Sequence, residues 1–263
     1  MNTSEEKQNS KLWRFLYKVL PVISIALVII MWSYLSYKRP ELFPTPERVA
    51  NRFIKFLRQP INKKGILGHL AISFSRVLTA LASATVLGIS FGVLIGWNKT
   101  LKAWFGTLFE MIRPIPPIAW IPLLIIWFGI GEFPKILIVF IGCFVPIVIN
   151  TYTGIKMVDP LLLNVGRSFQ ANKRQLLFEI ALPSALPAIF AGLRTATSGG
   201  WLCLLAAEMM AAKHGLGFLI TRGMEVNDTA LIFISMIIIG VTGAMMSVVI
   251  GYLERWICPW RAE

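Results

Sequence analysis

Four charged residues sit within or at the rim of long apolar runs, and they are the positions whose chemistry needs explaining: Arg76, Glu110, Arg194 and Glu208. A charge at the middle of a bilayer costs roughly 2.5–3.5 kcal/mol on insertion scales, so each of them needs water or a partner. Two readings follow. Arg76 or Arg194 lines a pathway and offers an anion a transient partner, with Glu208 as a further pathway candidate; or the charges pair between helices or snorkel to an interface, which is the simpler reading. Glu208, at the end of its run, could equally accept hydrogen bonds from the Gly215-Leu216-Gly217 turn that follows. No arrangement supports catalysis or a metal. His69 and His214 lie far from any paired carboxylate, lack ligand spacing and read as interfacial polar residues. Cys143, Cys203 and Cys258 form no CxxC pair and read as buried small hydrophobes. The run GVLIGWNKT from Gly92 to Thr100 has the wrong spacing for a phosphate-binding loop and follows no strand, so no nucleotide site and no cofactor are expected.

The elements that must carry these residues are membrane helices. A chain of 263 residues that is 56% hydrophobic and only 15% charged, with a positive mean hydropathy, is a polytopic membrane protein. Its formal net charge of +13 lies mostly between apolar runs, where lipid headgroups account for it, and nucleic acid is not an expected partner. Residues 1–18 form a polar, basic tail and 19–37 a first span, uncleaved because Lys38, Arg39 and Pro40 follow where a signal peptide would need small residues. Residues 38–69 hold an amphipathic helix whose Val49, Phe53, Ile54, Phe56 and Leu57 alternate with Arg48, Arg52, Lys55 and Arg58, which suits a lipid interface. A permease-like core over 70–254 holds the other spans, and 255–263 is a short tail. In the third span Pro114, Pro116, Pro117 and Pro122 forbid a straight helix.

Two spans carry small residues at every fourth position: Ala84, Gly88, Gly92 and Gly96 in one, Gly192, Ala196 and Gly200 in the other. Such faces let helix backbones approach closely, and they suggest either a tight pair or one face meeting its copy across a two-fold axis. Between spans four and five lies the long polar-bearing stretch of the second half, 155–183. Asp159 and Pro160 start one short helix; Asn172 and Gln175 form a capping box for a second, expected to end before Pro183. Leu161, Leu162, Val165 and Phe169 share one side of the first helix, with Asn164, Arg167 and Ser168 elsewhere. That is a docking element at a membrane face.

This stretch resembles the EAA loop of binding-protein-dependent ABC importer permeases, in which Glu-Ala-Ala, three residues, Gly, nine residues and Ile-x-Leu-Pro form the helix that couples to an ATPase. Ile180, Ala181, Leu182 and Pro183 match the end of the pattern; Asn164, Val165 and Gly166 stand for Glu-Ala-Ala, Gln170 for the glycine, and Ala171 follows it, with Arg167 between. A non-glycine residue in the left-handed conformation that follows many helix ends costs roughly 1–2 kcal/mol, so Gln170 is the physically notable departure. The flanks RPIPPIAWIPLLIIWFGIG and Glu208, six residues, Gly-Leu-Gly are similar to the nitrate/sulfonate/taurine subfamily.

The resemblance implies an all-α fold of six transmembrane helices, the type I (MetI-like) permease fold. It also implies a homodimer served by two ABC ATPase subunits and an extracytoplasmic substrate-binding protein, embedded in the membrane lipids of a bacterial inner membrane. Transport of a sulfonate, taurine, nitrate or bicarbonate would proceed by alternating access, and the chain itself would hydrolyse nothing. Cations hardly decide orientation, because Lys38, Arg39, Arg48, Arg52, Lys55, Arg58, Lys63 and Lys64 all fall in the first outer segment. Placing the loop and both termini in the cytoplasm rests on the resemblance, since an ATPase can act only there. The alternative is a self-sufficient channel or secondary transporter, against which stand the lack of an inverted repeat and of carboxylate chains within spans.

Overall fold

The computed structural model describes residues 3–259, with side chains described at Tyr17 and from Val19 onward; the start of the 1–18 tail and the end of the 255–263 tail, Arg261 included, lie outside the described residues. Ten helices follow in order: α1 (Thr3–Lys38), α2 (Pro46–Arg58), α3 (Ile66–Trp97), α4 (Lys99–Ile112), α5 (Pro117–Phe128), α6 (Glu132–Lys156), α7 (Pro160–Ser168), α8 (Lys173–Ala211), α9 (Leu216–Glu225) and α10 (Thr229–Ile257). Five of them are long and apolar enough to cross a bilayer, counting α1 from Val19. The sixth span is the bent pair α4–α5, which turns by 85°. The turn occupies Arg113 to Pro116, where the proline run denies the helix its amide donors.

Three boundaries differ from the sequence expectation. The backbone of the polar tail continues the first helix down to Thr3, so no break separates the tail from the span. α3 begins at Ile66, which puts residues 66–69, read as part of the outer segment, inside the second span. Pro183 does not end the second loop helix: α8 runs through it from Lys173 to Ala211 as one helix. The reason is local. Residues Leu176–Ala181 form a wide π-turn, in which the Leu182 amide donates to the Leu177 carbonyl, and the wider turn makes room for the proline ring just after it. Ser184 Oγ then donates to the Ile180 carbonyl at 2.7 Å.

The centre of the bundle is α6, held between α3 and α8. This corrects the expected pairing of the two small-residue faces, which meet neither each other nor a copy in this chain. Both close on α6 from opposite sides. A methyl group at Gly92 would lie 2.7 Å from Thr151 Cβ, and one at Gly192 would lie 2.7 Å from Asn150 Cβ. Ala84 and Ala196 are fully buried, and Gly88, Gly96 and Gly200 pack on Ile147, Ile155 and Val139 of α6. A single helix can fill both grooves because α6 places Ile147, Thr151 and Ile155 at every fourth position on one side, and Val139, Cys143 and Asn150 on the other. Outside this slab, α9 and α10 pack against α8, and α2 lies across α10, where Val49 joins Ala230 and Ile234 in a small apolar cluster. Arg52 of α2 pairs with Asp228, the residue capping α10, at 2.6 Å.

Candidate functional site

The docking element is built by its caps. Asp159 Oδ1 accepts the Leu161 amide at 2.8 Å and starts α7 with Pro160 in its first turn. At the other end the Ala171 amide donates to the Gly166 carbonyl at 3.1 Å and the Gln170 amide to the Arg167 carbonyl at 2.9 Å. These are the two bonds of a Schellman closure, which needs a left-handed residue at Gln170, and Gln170 indeed has φ of +59°. Asn172 then caps α8, accepting from Arg174 and Gln175 while the Gln175 side chain accepts the Asn172 amide at 2.9 Å.

The two helices of the elbow are locked together at Gly166, where a side chain would run into Leu176 and Ile180 of α8. Ile180 and Gly166, matched to the motif from different ends of the pattern, are therefore packing partners. Ala181 is buried and Leu182 half-buried beneath them, so the end of the motif anchors the elbow on the bundle. What α7 leaves outside is apolar. Leu161, Leu162 and Val165 are exposed and Phe169 is 83% exposed, and Phe178 of α8 is exposed as well. Asn164 and Arg167 bond each other at 2.8 Å at the rim. An exposed apolar face rimmed by polar residues is the signature of a protein contact.

At the other end of the bundle, two of the four span charges, Arg76 and Glu208, come together with residues that were not foreseen as their partners. Glu208 is wholly buried. Its Oε1 accepts from Arg76 Nη1 at 2.6 Å and from Ser73 Oγ at 2.8 Å, and its Oε2 accepts the Gly217 amide at 2.9 Å. Arg76 turns its other edge to Glu132, with Nε and Nη2 donating at 2.6 and 2.7 Å, and its Nη1 also donates to the His214 carbonyl at 3.0 Å. Lys135 completes the array by donating to Glu132 at 3.1 Å. Two cations and two carboxylates balance, and every nitrogen of the Arg76 guanidinium has a partner. This is the ion-pairing geometry between helices, with four of the five N–H donors of Arg76 engaged.

The array also holds the 212–217 turn. The amides of Gly215, Leu216 and Gly217 donate in order to His69 Nδ1 at 3.1 Å, Ser73 Oγ at 2.9 Å and Glu208. α9 thus begins on a buried carboxylate and a hydroxyl, which meets the unbonded donors and positive end of its first turn. Gly215 supplies a φ of +123° that an L side chain adopts at a cost. His69, read as interfacial, is fully buried. Because its Nδ1 accepts from Gly215, its Nε2 carries the proton and donates to the Ile61 carbonyl at 3.1 Å. Glu132 and Ser73 carried no signal of their own: one opens an apolar run, the other sits inside one. Spacing could have suggested Ser73, which lies one helical turn from both His69 and Arg76.

Arg194 lies elsewhere. It bonds Glu254 of α10 at 2.5 Å, with its side chain 51% exposed and the carboxylate nearly buried. Glu110 pairs with Arg113 at 2.8 Å at the bend of the broken span.

Comparison with known proteins agrees with the fold. Residues 84–262 match the family described as the binding-protein-dependent transport system inner membrane component. The chain is 34% identical to a putative ABC transporter permease protein of Methanocaldococcus jannaschii, over 92% of each chain. It is 32% identical to the taurine transport system permease protein TauC of Escherichia coli, over 93% of this chain and 90% of that one. Among solved structures, a chain of the MetNI methionine ABC transporter in an inward-facing conformation superposes with a TM-score of 0.65 at 16% identity, over 78% of this chain and 98% of that one. An all-α bundle of six spans including a broken one, an elbow carrying the end of the EAA pattern, and relatives this similar along nearly their whole length place the chain in one group: it belongs to the binding-protein-dependent inner-membrane components, and is the permease subunit of an ATP-driven ABC importer whose hydrolysis is done by separate ATPase subunits working with a binding protein.

Proposed function

We propose that this permease works as a homodimer on two ATPase subunits, with the 155–183 elbow and both termini in the cytoplasm, and that it passes a small oxyanionic solute of the sulfonate or taurine class. The observation that carries the coupling role is the exposed row Leu161, Leu162, Val165 and Phe169 on a helix locked at Gly166 to the base of a continuous span. A force applied to α7 passes through the Gly166–Ile180 contact into α8 without crossing a flexible joint. Closure of the ATPases on ATP would then rock α8 and the slab it clasps, exchanging outward- and inward-facing states. Asn164, Arg167, Gln170, Ala171, Leu182 and Pro183 set the shape of the elbow in this reading, and the apolar row makes the contact.

The solute class is supported by the relationship to permeases named for taurine and aliphatic sulfonates; permeases named for nitrate and bicarbonate are as similar and keep those two solutes in the reading. Of the pathway candidates, Arg194 fits best, since its side chain is half exposed, whereas Arg76 and Glu208 are consumed by their own array. The test is co-purification of the ATPase with the permease from membranes. Leu161→Asp with Phe169→Asp should abolish it while leaving the permease folded and inserted. Retained ATPase in that variant, or labelling of a cysteine at position 174 from outside intact cells, defeats the coupling role or the orientation respectively.

A further inference from the structure

A second polar feature is not used by the coupling reading: a cleft of about 770 Å³ formed by the end of α3, the whole of α4 and the last turns of α6. Its wall carries Lys99, Lys102, Arg113 and Lys156, against the single carboxylate of Glu110. Glu110 is taken up by Arg113 at 2.8 Å. The Lys102 ammonium sits 5.1 Å from the Tyr152 ring centre, a cation–π contact that leaves its charge uncompensated. Among the described residues Lys99 and Lys156 reach no carboxylate. Three cations thus converge on one space with no counter-charge, and the hydroxyls of Thr107 and Thr153 line the same wall.

The backbone is shaped to the cleft as well. Residues Lys102–Gly106 form a π-turn, the widened turn that concentrates at functional positions in helices, and Lys102, Ala103 and Gly106 from this turn all line the space. Asn98 caps the start of α4 through the amides of Thr100 and Leu101, which fixes Lys99 in the first turn. Ile95, Phe109 and Ile149 supply an apolar floor that lowers the local dielectric beneath the cations. Like charges lining one cleft over such a floor repel one another, and an entering anion relieves that repulsion.

We propose that this cleft binds an oxyanion through Lys99, Lys102 and Lys156, at a position that adjoins the start of the elbow at Lys156 but is apart from its apolar row and from the Arg76 array. A phosphate, sulfate or sulfonate group has the shape and charge for it, whether free in solution or carried on a lipid headgroup; basic pockets between membrane helices take both. The site stands on side-chain geometry and holds for either orientation of the chain.

The test uses the permease–ATPase complex in nanodiscs. In phosphatidylcholine alone, the melting midpoint is followed against sodium sulfate, with sodium chloride at equal ionic strength as reference, because a ligand of the folded state raises the midpoint saturably. In phosphatidylcholine with phosphatidylglycerol, native mass spectrometry counts retained phosphatidylglycerol. Both are repeated on Lys99→Gln/Lys102→Gln/Lys156→Gln and on a charge-matched control, Lys55→Gln/Lys63→Gln/Lys64→Gln. A sulfate response whose half-saturation rises about tenfold or more in the cleft variant, but not in the control, supports a site for free oxyanions. Phosphatidylglycerol retention lost from the cleft variant alone supports a headgroup site. The three lysines are exposed, so the chloride midpoint should be unchanged; if the triple variant does not assemble, Lys99→Gln and Lys156→Gln singly carry the same comparison. Equal behaviour of wild type and cleft variants in both measurements, or an equal loss in the control, overturns the proposal.

Discussion

Removing Arg76 should be the most damaging single change at the array around the 212–217 turn, and the structure says by how much. Its side chain is 5% exposed and that of its partner Glu208 is fully enclosed, whereas Glu132 is 61% exposed. Breaking a buried pair by deleting one partner costs about 3–5 kcal/mol, chiefly because the other charge is left without compensation. A pair with a mostly exposed partner is worth at most about 1 kcal/mol after screening. Arg76→Met should therefore destabilise the permease by about 3–5 kcal/mol, and Glu132→Gln by no more than about 1 kcal/mol. Glu208→Gln keeps an acceptor for the Gly217 amide and removes the charge, so adding it to Arg76→Met should recover part of the loss. The assay is a double-mutant cycle on purified complex, read by denaturant or thermal unfolding in one detergent. A coupling between positions 76 and 208 of about 2 kcal/mol is expected. Additivity within about 0.5 kcal/mol would mean the two charges do not sense each other, and the account of the array fails.

At the elbow, Gln170→Gly removes a left-handed strain of roughly 1–2 kcal/mol but loosens the unfolded chain by up to about 1 kcal/mol, so unfolding should show a net gain of about 0–2 kcal/mol with ATPase co-purification intact; a loss above 1 kcal/mol contradicts the left-handed turn. Gly92→Val forces a branched side chain onto Thr151 and should cost about 1–3 kcal/mol or prevent assembly, measured as the yield of monodisperse protein. Gly217→Ala places a methyl group 2.7 Å from Glu208 Cβ, so the 212–217 turn should exchange its amide hydrogens faster, while the elbow's exchange is untouched. Arg194→Gln should lower solute flux with assembly preserved; unchanged flux and assembly together remove it from the pathway.

The elbow was legible because it combines a polar stretch between apolar ones with capping residues at fixed offsets, and capping is a local code. Asp159, Asn172 and Gln175 do what their spacing predicts. Pro183 misled because proline reads as a terminator whenever neighbouring turns are ordinary, and nothing in Leu176–Ala181 announces a widened turn. The small-residue faces were visible as faces, but a repeat shows only that something packs there. Its occupant, α6, has mostly large residues at the contact and so left no repeat to find. Of the three readings given to Glu208, the ion pair and the bond from the following turn are both present: it accepts from Arg76 and from Gly217. That array draws on residues more than a hundred positions apart, which no local pattern can connect.

The clasp around α6 has a mechanical consequence. With glycine notches closed on it from two directions, this helix cannot slip along either neighbour without driving branched side chains into peptide backbone, so the three segments share one fate and translate or tilt as a plank. Freedom to deform is left to the pieces outside the clasp, above all the lipid-facing first helix and the proline elbow at Arg113 to Pro116, and it is there that a crosslink should jam the cycle most effectively.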